Sequence, residues 1–288
     1  MATPPSFTIT IGVLALQGAF NEHIQLLRSA SQILATKSKT TSHQTHDVDI
    51  KYNFIEVRNE TELNSCDALI IPGGESTAIS LVAQRSGLLE PLRDFVKVHR
   101  RPTWGTCAGL ILLSESANRT KAGGQELIGG LDVRVNRNHF GRQVESFSAD
   151  LNLPFLSSLS SNSESSPSPF PAIFIRAPIV EQLLASPQTS TTSSSPTVTA
   201  PTIPNTTTLP NTPVEILATL PGRTSSIVDP TAKAKLNVDA ETGDIVAVRQ
   251  ANVFGTSFHP ELTGDARIHA WWLQEVIEDV VGRRGEKN

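Results

Sequence analysis

Short apolar runs alternate with amphipathic segments in the first half of the chain. Runs of this length, bounded by turn residues, predict buried strands, whereas apolar residues at intervals of three and four predict helices. Strands that alternate with helices along the chain indicate a parallel sheet with helices on both faces. The strands are expected at residues 7–16, 52–57 and 68–71 and directly before Cys107, and the first helix carries Ile24, Leu27, Ala30 and Leu34 on its buried face.

Capping residues indicate the limits of the next helices. Ser76 or Thr77 can cap a helix that ends before Gly87. A side-chain oxygen accepts from the free N–H groups at a helix start, and glycine readily adopts the left-handed conformation at a helix end. Pro91 is expected to open another helix that runs to His99, since proline suits the first helical turn.

The second half of the chain is less regular. Alternating apolar positions predict further strands, and the last two are close enough to form a hairpin around residues 250–252. A final helix is expected from about Thr263, with Ile268 and Trp271 on its buried side. The strands are expected at residues 131–135, 173–175, 216–220, 245–248 and 253–258.

Two stretches fall outside this pattern. Residues 156–171 are rich in serine and proline, and residues 185–213 consist mostly of serine, threonine and proline without a charged residue. Such segments bury too little apolar surface to offset the entropy of ordering, so both are expected to be surface insertions. The prediction is therefore an α/β fold, with one domain over residues 1–288 and a doubly wound, mostly parallel sheet.

Composition argues against several kinds of partner and location. The chain has 288 residues and a net charge of -4, which gives no reason to expect nucleic acid or an anionic membrane as a partner. Its two cysteines, Cys66 and Cys107, suit a reducing compartment rather than a disulfide framework. The apolar run at residues 11–16 is too short to span a membrane and lacks the basic flank of a signal peptide, so a cytoplasmic protein is expected.

Cys107 stands at a predicted turn between a short strand and an apolar helix, with Gly105 and Gly109 two residues away on either side. This is the spacing of a nucleophile elbow, in which the turn is strained and the backbone packs closely. The free N–H groups and positive dipole of the helix start favour a thiolate over a thiol. A buried structural cysteine is the alternative, since most free cysteines are of that kind.

A second motif, His259 followed by Pro260 and Glu261, comes after an apolar strand. In an extended segment the side chains of His259 and Glu261 point to one face, and Pro260 holds the backbone extended. A carboxylate beside an imidazole fixes its tautomer and stabilises the imidazolium, as in a catalytic triad. Together the motifs predict Cys107 as nucleophile, His259 as base and acid, and Glu261 as the orienting carboxylate. Alone, the His259–Glu261 pair is more typical of a surface pair.

These motifs resemble the class I, triad-type glutamine amidotransferases, which have a flavodoxin-like fold. Within that class the chain is similar to the family of glutaminase subunits of pyridoxal 5'-phosphate synthase. The resemblance follows the family's order from residue 11 to residue 263 and is interrupted by the two insertions, which bacterial members largely lack. It is carried by residues 12–20, 72–77, 105–109, 136–147, 174–178 and 257–263.

The resemblance implies a role for each matching residue. Cys107, His259 and Glu261 would form the triad. The N–H groups of Gly74 and Ala108 would stabilise the oxyanion, because backbone donors at that point lower the barrier to attack on an amide. The residues that would contact the substrate are Gly74, Glu75, Ser76, Arg137, Ile175 and Arg176, and of these the arginine at 137 suits the α-carboxylate of free glutamine.

The implied reaction is hydrolysis of L-glutamine to glutamate and ammonia. The ammonia would pass to a separate synthase subunit in a hetero-oligomer, and members of the family have little activity until that subunit binds. The first turn after a strand, residues 17–20, lies near the expected docking face. No metal or other cofactor is implied, since His43 and His46 lie in a loop with no other ligand nearby.

Three other functions stay open from the sequence alone. A related triad glutaminase would serve a different synthase, although residues 136–147 favour the pyridoxal phosphate family. A non-catalytic member of the fold would act as a binding module, and a thiol protease or chaperone would share the fold. The remaining histidines, His23, His99 and His269, fall on predicted helices and are expected to be packing or surface residues.

Overall fold

The structure, a computed structural model, describes residues 6–40, 49–118, 125–137, 146–159, 167–184, 197–202, 212–220 and 243–285. The strands are β1 (Ser6–Leu14), β2 (Asp49–Val57), β3 (Ala68–Ile71), β4 (Thr103–Thr106), β5 (Ser114–Asn118), β6 (Leu131–Asn136), β7 (Ser146–Leu151), β8 (Phe170–Ile175), β9 (Ile179–Leu183), β10 (Thr197–Thr199), β11 (Glu215–Leu220), β12 (Asp244–Gln250) and β13 (Val253–Thr256). The helices are α1 (Phe20–Thr40), α2 (Glu60–Asn64), α3 (Ser76–Arg85), α4 (Leu89–Arg93), α5 (Ala108–Leu113) and α6 (Arg267–Gly285), with a π-helical turn at Asp94–Val98 and 3-10 turns at Pro154–Leu159 and Pro260–Leu262.

Eleven strands form one sheet in the order β10-β5-β6-β9-β12-β13-β4-β3-β1-β2, with β11 joined to β12. The block β13-β4-β3-β1-β2 is parallel throughout. The predicted hairpin of β12 with β13 is present, and beyond it β9 and β6 also pair antiparallel. The prediction of an α/β fold with a large, mostly parallel sheet is confirmed, although the sequence does not predict the antiparallel extension or the separate pair β7-β8.

The inner parallel strands β3 and β4 are buried on both faces. On β3, Ile70 belongs to a core that includes Leu27 of α1 and Trp271 of α6, whereas Leu69 belongs to a second core that includes Leu110 of α5. Adjacent residues of one strand thus serve opposite cores, because successive side chains of a strand alternate between faces. Each large apolar side chain buried in this way contributes about 1.5–3 kcal/mol. Helices cover both faces, as the sequence predicts.

The start of α3 differs from the predicted one. Glu75, rather than Ser76 or Thr77, is the capping residue, and its carboxylate accepts from the backbone N–H groups of Thr77 at 3.1 Å and Ala78 at 2.6 Å. A carboxylate is favoured there because the helix start carries a partial positive charge. The Ser76 hydroxyl is buried and instead donates to Oε1 of Gln125 at 2.8 Å.

Two other helix starts also differ. The helix α4 begins at Leu89, so Pro91 lies within its first turn, where its missing N–H group is not needed. The helix then continues into the π-helical turn, close to its predicted end. The final helix begins at Arg267 rather than at about Thr263, because the 3-10 turn intervenes and Asp265 accepts from the Arg267 N–H group at 3.0 Å.

Structured residues reach into both segments predicted as insertions. Leu156 lies in a 3-10 turn and Phe170 opens β8, and both side chains are buried in the core. In the second segment, β10 pairs with β5 and forms one edge of the sheet. A few large apolar side chains are enough to fix the ends of a serine- and proline-rich stretch to the core. The rest of the two segments includes residues 160–166, 185–196 and 203–211, which lie outside the described residues.

No helix in the described part of the chain is long and apolar enough to cross a membrane. The same ranges contain no group of three or more His, Cys, Asp or Glu side chains arranged to hold a metal ion. The pair considered from the sequence, His43 and His46, lies outside these ranges.

The turn at Cys107 depends on backbone contacts that leave no room for side chains. A Cβ atom built on Gly109 would overlap the carbonyl oxygen of Ile71 on β3, and one built on Gly105 would overlap the backbone of Gly109. The helix α5 therefore packs with its backbone directly against the sheet, which only glycine at these positions permits.

We expect Gly109→Ala to lower the free energy of unfolding by about 1–3 kcal/mol, the range for an overpacked core. Gly282→Ala in α6 is the matched control, because a methyl group there meets no atom within 4 Å. It should be neutral or stabilise the protein by about 0.5–1 kcal/mol. Urea unfolding midpoints measure both variants, and equal midpoints would contradict the close packing of α5 on β3.

Candidate active site

Cys107 occupies a strained turn between β4 and α5, with a φ of 48° and a ψ of -100°. A positive φ in a residue other than glycine costs about 1–3 kcal/mol and is typical of functional sites. The Cys107 N–H group donates to the carbonyl oxygen of Thr256 at 2.8 Å, and Sγ lies 3.9 Å from the carbonyl oxygen of Ile175. The predicted strand, turn and helix around this cysteine are confirmed.

Parallel pairing of β4 with β13 places Cys107 and His259 at the same edge of the sheet. In this register Thr106 lies opposite Thr256, so both segments leave the sheet side by side. The N–H group of His259 then donates to the carbonyl oxygen of Ile173 at 2.8 Å, which anchors the segment after β13 against β8.

The predicted pair of His259 and Glu261 forms, but not in an extended segment. Pro260 instead opens a 3-10 turn, since the fixed φ of proline suits a helical turn as well as an extended chain. Within this turn Nδ1 of His259 lies 2.7 Å from Oε1 of Glu261. Both side chains are buried, so water does not compete for this hydrogen bond.

The surroundings of His259 favour its protonated form. Burial by itself lowers the pKa of His259, but hydrogen bonds with Cys107 and Glu261, and the negative charges of both, raise it to about 10. Burial would raise the pKa of Glu261, but interaction with His23 and the hydrogen bond to His259 lower it. At neutral pH, His259 is therefore an imidazolium between a sulfur and a carboxylate.

Two buried histidines, His23 and His269, lie behind this pair, and the sequence does not predict that they belong to the site. Nε2 of His23 lies 3.4 Å from Oε2 of Glu261, and Nδ1 of His23 lies 2.9 Å from Nε2 of His269. They do pack in the core, as expected, but they also contact the carboxylate of the site. For His23 the sequence does contain a signal of burial: it lies four residues before Leu27, which is on the buried face of α1. His99, in contrast, is exposed.

The loop after β3 lies directly against His259. A Cβ atom on Gly73 would overlap the imidazole ring, so this glycine lets the backbone touch the histidine. The loop is held from the turn after β1, where Oε1 of Gln17 accepts from the N–H group of Glu75 at 2.8 Å. Gly74 and Glu75 are exposed beside the histidine, as a substrate-contacting loop requires.

Arg137 follows β6 and is 8 % exposed. Burial lowers the pKa of Arg137, while the nearby charge of Glu75 raises it, so the two side chains lie within electrostatic reach of each other. Ile175 is the last residue of β8 and Arg176 follows it; both residues are exposed, and Arg176 has a φ of 44°. The carbonyl group of Ile175, rather than its side chain, faces the cysteine sulfur.

Two other predicted residues, Ala108 and Ser76, are buried. Ala108 is buried at the first position of α5, where its N–H group directly follows Cys107. Ser76 is buried, and its hydroxyl donates to Oε1 of Gln125. Residues 138–145 of the segment that carries the family resemblance lie outside the described residues.

A doubly wound sheet with a cysteine turn beside a buried His–Glu pair defines the class I, flavodoxin-like fold of glutamine amidotransferases. A crystal structure described as a glutamine amidotransferase is similar, with a TM-score of 0.58 and 31% sequence identity. The similarity covers 92% of this chain and 98% of that one.

The model of the SNO glutamine amidotransferase family matches residues 13–202 and 221–278, and the chain belongs to this family. The family predicted from the sequence motifs is therefore confirmed. Among curated relatives, a probable pyridoxal 5'-phosphate synthase subunit PDX2 from Arabidopsis thaliana is 38% identical over 94% of this chain and 87% of its own length. The pyridoxal 5'-phosphate synthase subunit PdxT from Thermococcus onnurineus is 33% identical over 93% of this chain and 100% of its own length.

We expect Cys107→Ala to lower the pKa of His259 from about 10 towards its ordinary value, because the variant removes a hydrogen bond and a negative charge. Imidazole NMR titration measures this, with the His259 resonance identified by its loss in His259→Gln. Cys66→Ala is the control, since no contact with Cys66 contributes to the pKa of His259. An unchanged titration in Cys107→Ala would show that the sulfur and the imidazole do not interact.

Proposed function

We propose that this chain is the glutaminase subunit of a pyridoxal 5'-phosphate synthase and hydrolyses L-glutamine to glutamate and ammonia. The observation that carries the proposal is the buried line of contacts from Cys107 through His259 to Glu261. Membership of the glutamine amidotransferase family supports the reaction type. The names of the relatives, which are synthase subunits, support the assembly.

In the first half of the reaction, the thiolate of Cys107 attacks the carboxamide carbon of glutamine. A carbon–sulfur bond forms, and the carbonyl π electrons move to the oxygen to give a tetrahedral oxyanion. The imidazolium of His259 then gives its Nε2 proton to the amide nitrogen, because Nδ1 is engaged by Glu261. The carbon–nitrogen bond breaks, ammonia leaves, and a thioester remains on the sulfur.

In the second half, the now neutral His259 accepts a proton from water. The resulting hydroxide attacks the thioester carbon, the carbon–sulfur bond breaks, and glutamate leaves the restored thiolate of Cys107. Glu261 stays ionised throughout and stabilises the positive charge that His259 carries at the start and end of the cycle. The elevated pKa of His259 is consistent with this resting ion pair.

The backbone N–H groups of Gly74 and Ala108 would donate hydrogen bonds to the oxyanion. Ala108 directly follows the nucleophile, and Gly74 lies in the loop whose Gly73 touches the imidazole. One such donor is typically worth about 10²–10³ in rate. A small change in the loop after β3 would therefore change activity strongly, which suits control by a bound synthase subunit.

The residues around this loop would bind free glutamine. Arg137 would bind the α-carboxylate, since a partly buried guanidinium makes strong, charge-assisted hydrogen bonds to a carboxylate. Gly74, Glu75 and Ser76 would line the substrate from one side, and Ile175 and Arg176, exposed at the end of β8, from the other.

The ammonia would pass to the synthase subunit within a hetero-oligomer. We also assign one glutaminase domain to the chain and a cytoplasmic location, because the free Cys66 and Cys107 suit a reducing compartment. Neither a nucleic acid nor a membrane is proposed as a partner. Glutamine hydrolysis with and without the cognate synthase subunit tests the assignment, and we expect a large increase on its addition.

Cys107→Ala should abolish glutamine hydrolysis while binding to the synthase subunit is retained, because only the nucleophile is removed. Cys66→Ala is the matched control, since burial raises the pKa of Cys66 to about 12 and keeps that thiol neutral. It should hydrolyse glutamine within about twofold of the wild-type rate. Ammonia release by Cys107→Ala at the wild-type rate would rule out the mechanism, whatever partner is bound.

Arg137→Gln should raise the KM for glutamine about 10- to 100-fold with a smaller effect on kcat, as expected when a charge-assisted contact to the bound substrate is lost. Arg134→Gln is the control, because Arg134 is also a buried arginine, three residues earlier in β6, but faces Glu181 at 3.2 Å. An equal rise of KM in both variants would count against a substrate contact at Arg137. Steady-state kinetics with the synthase subunit present gives both constants.

A further inference from the structure

The carboxylate of Glu261 is held on two sides. Oε1 faces His259, whereas Oε2 is buried and accepts no hydrogen bond of standard geometry from the described residues. The nitrogen that faces Oε2 is Nε2 of His23, at 3.4 Å, and both side chains are fully buried. Such contacts are often long without substrate and shorten when the site closes around it.

His23 is itself held by three neighbours. Its Nδ1 lies 2.9 Å from Nε2 of His269, and its Nε2 lies 3.3 Å from the hydroxyl of Thr106, the last residue of β4. The ring of Trp104 packs edge-on against both imidazoles, with centroids 5.6 Å from His23 and 4.8 Å from His269. The position of the His23 ring is therefore determined by strand β4 and helix α6 together.

The hydrogen-bond pattern selects one tautomer for each neutral ring. Nδ1 of His269 is buried and has no partner in the described part of the chain, so it must be the nitrogen without hydrogen. Nε2 of His269 then carries the hydrogen and donates to Nδ1 of His23. The hydrogen of His23 consequently sits on Nε2, which lies 3.3 Å from the hydroxyl of Thr106 and 3.4 Å from Oε2 of Glu261, so this N–H group faces both acceptors. In the opposite arrangement a buried N–H group of His269 would be orphaned and a lone pair of His23 would face the carboxylate.

We propose that His23 is a positioning residue, which directs an N–H group at Oε2 of the triad carboxylate and is held in that tautomer by His269. The inference rests on the proposed function, because it assumes that Glu261 orients His259 during glutamine hydrolysis. It assigns α1 and α6, which lie behind the sheet edge, a defined part in the geometry of the site.

Charge explains why a neutral donor is required at this place. Burial lowers the pKa of His23 to about 3 against the opposing attraction of Glu261, and the nearby His269 and His259 lower it further. Burial likewise lowers the pKa of His269 to about 3. A cationic His23 would compete with His259 for the carboxylate, whereas a neutral N–H dipole stabilises the carboxylate without displacing the imidazolium.

The test compares His23→Leu, which has no donor, with His23→Gln, whose amide N–H group reaches to about the position of Nε2. In His23→Leu we expect kcat to fall about 10- to 100-fold, the range for loss of one contact to a charged group, with little change in KM. The pKa of Glu261 should rise when the donor is lost, so the carboxylate protonates earlier as pH falls. The acidic limb of the pH profile of kcat/KM should therefore move to higher pH.

His23→Gln should recover most of kcat and return the acidic limb to the wild-type position. His99→Gln, at an exposed histidine, is the control and should match the wild type. All variants are assayed with the synthase subunit bound, and thermal unfolding and synthase binding establish that each is folded. A wild-type kcat and pH profile in His23→Leu, or an equal loss in His23→Leu and His23→Gln, would overturn the proposal.

A second pair keeps the test decisive if His23→Leu does not fold. His269→Phe removes the donor to His23 within the same aromatic cluster and should lower kcat with the same movement of the acidic limb. His269→Gln keeps an N–H group and should restore both, and a wild-type profile in His269→Phe would overturn the proposal. Cys107→Ala separates this inference from the proposed function. If that variant is active, the triad itself is wrong. If it is inactive while the His23 and His269 variants keep the kcat and pH profile of the wild type, only the positioning role is refuted.

Discussion

The geometry of the site depends on the parallel pairing of β4 with β13. These strands are far apart in sequence, yet Thr106 lies opposite Thr256, so Cys107, one residue further on, and His259, three residues further on, leave the sheet at the same edge. A hydrogen bond from Nε1 of Trp104 to the hydroxyl of Thr256, at 3.3 Å, links the two strands through their side chains. A slip of one residue would turn every side chain of a strand to the other face and separate sulfur from imidazole. The contact of Cys107 with His259 and the packing of the core therefore require the same register.

The strained backbone of Cys107 is tolerated because the surrounding structure over-determines it. All residues of α5 are buried, and the helix packs on the sheet through glycine backbone that admits no side chain. The cysteine N–H group is bonded to β13, so relaxation of its φ would break that bond and shift α5 away from the core. The energy that holds Cys107 in this conformation thus comes from apolar burial some distance from its sulfur.

The parts of the fold that the sequence predicts are those with a local signal. Strands buried on both faces, such as β3, read as continuous apolar runs, and the Cys107 turn carries its own glycines. The short strands β5, β9 and β10 carry mixed polar residues and exist because a neighbouring strand pairs with them, which a local pattern does not reveal. The sequence predicts that His259 and Glu261 form a pair, but it does not predict the 3-10 turn that joins them. Proline is compatible with both the expected extended chain and the observed 3-10 turn at Pro260.

The arrangement of His23 and His269 behind the pair of His259 and Glu261 is the feature least predictable from the sequence, because it depends on proton positions that all of these side chains determine together. Burial lowers the pKa of His23 and of His269 so that both are neutral, and Nδ1 of His269, which has no partner among the described residues, then determines both tautomers. The carboxylate of Glu261 thus has a cationic neighbour, His259, and a dipolar neighbour, His23. In a medium where each unpaired charge is costly, this arrangement keeps the carboxylate ionised and leaves its charge directed at the imidazolium that faces the sulfur.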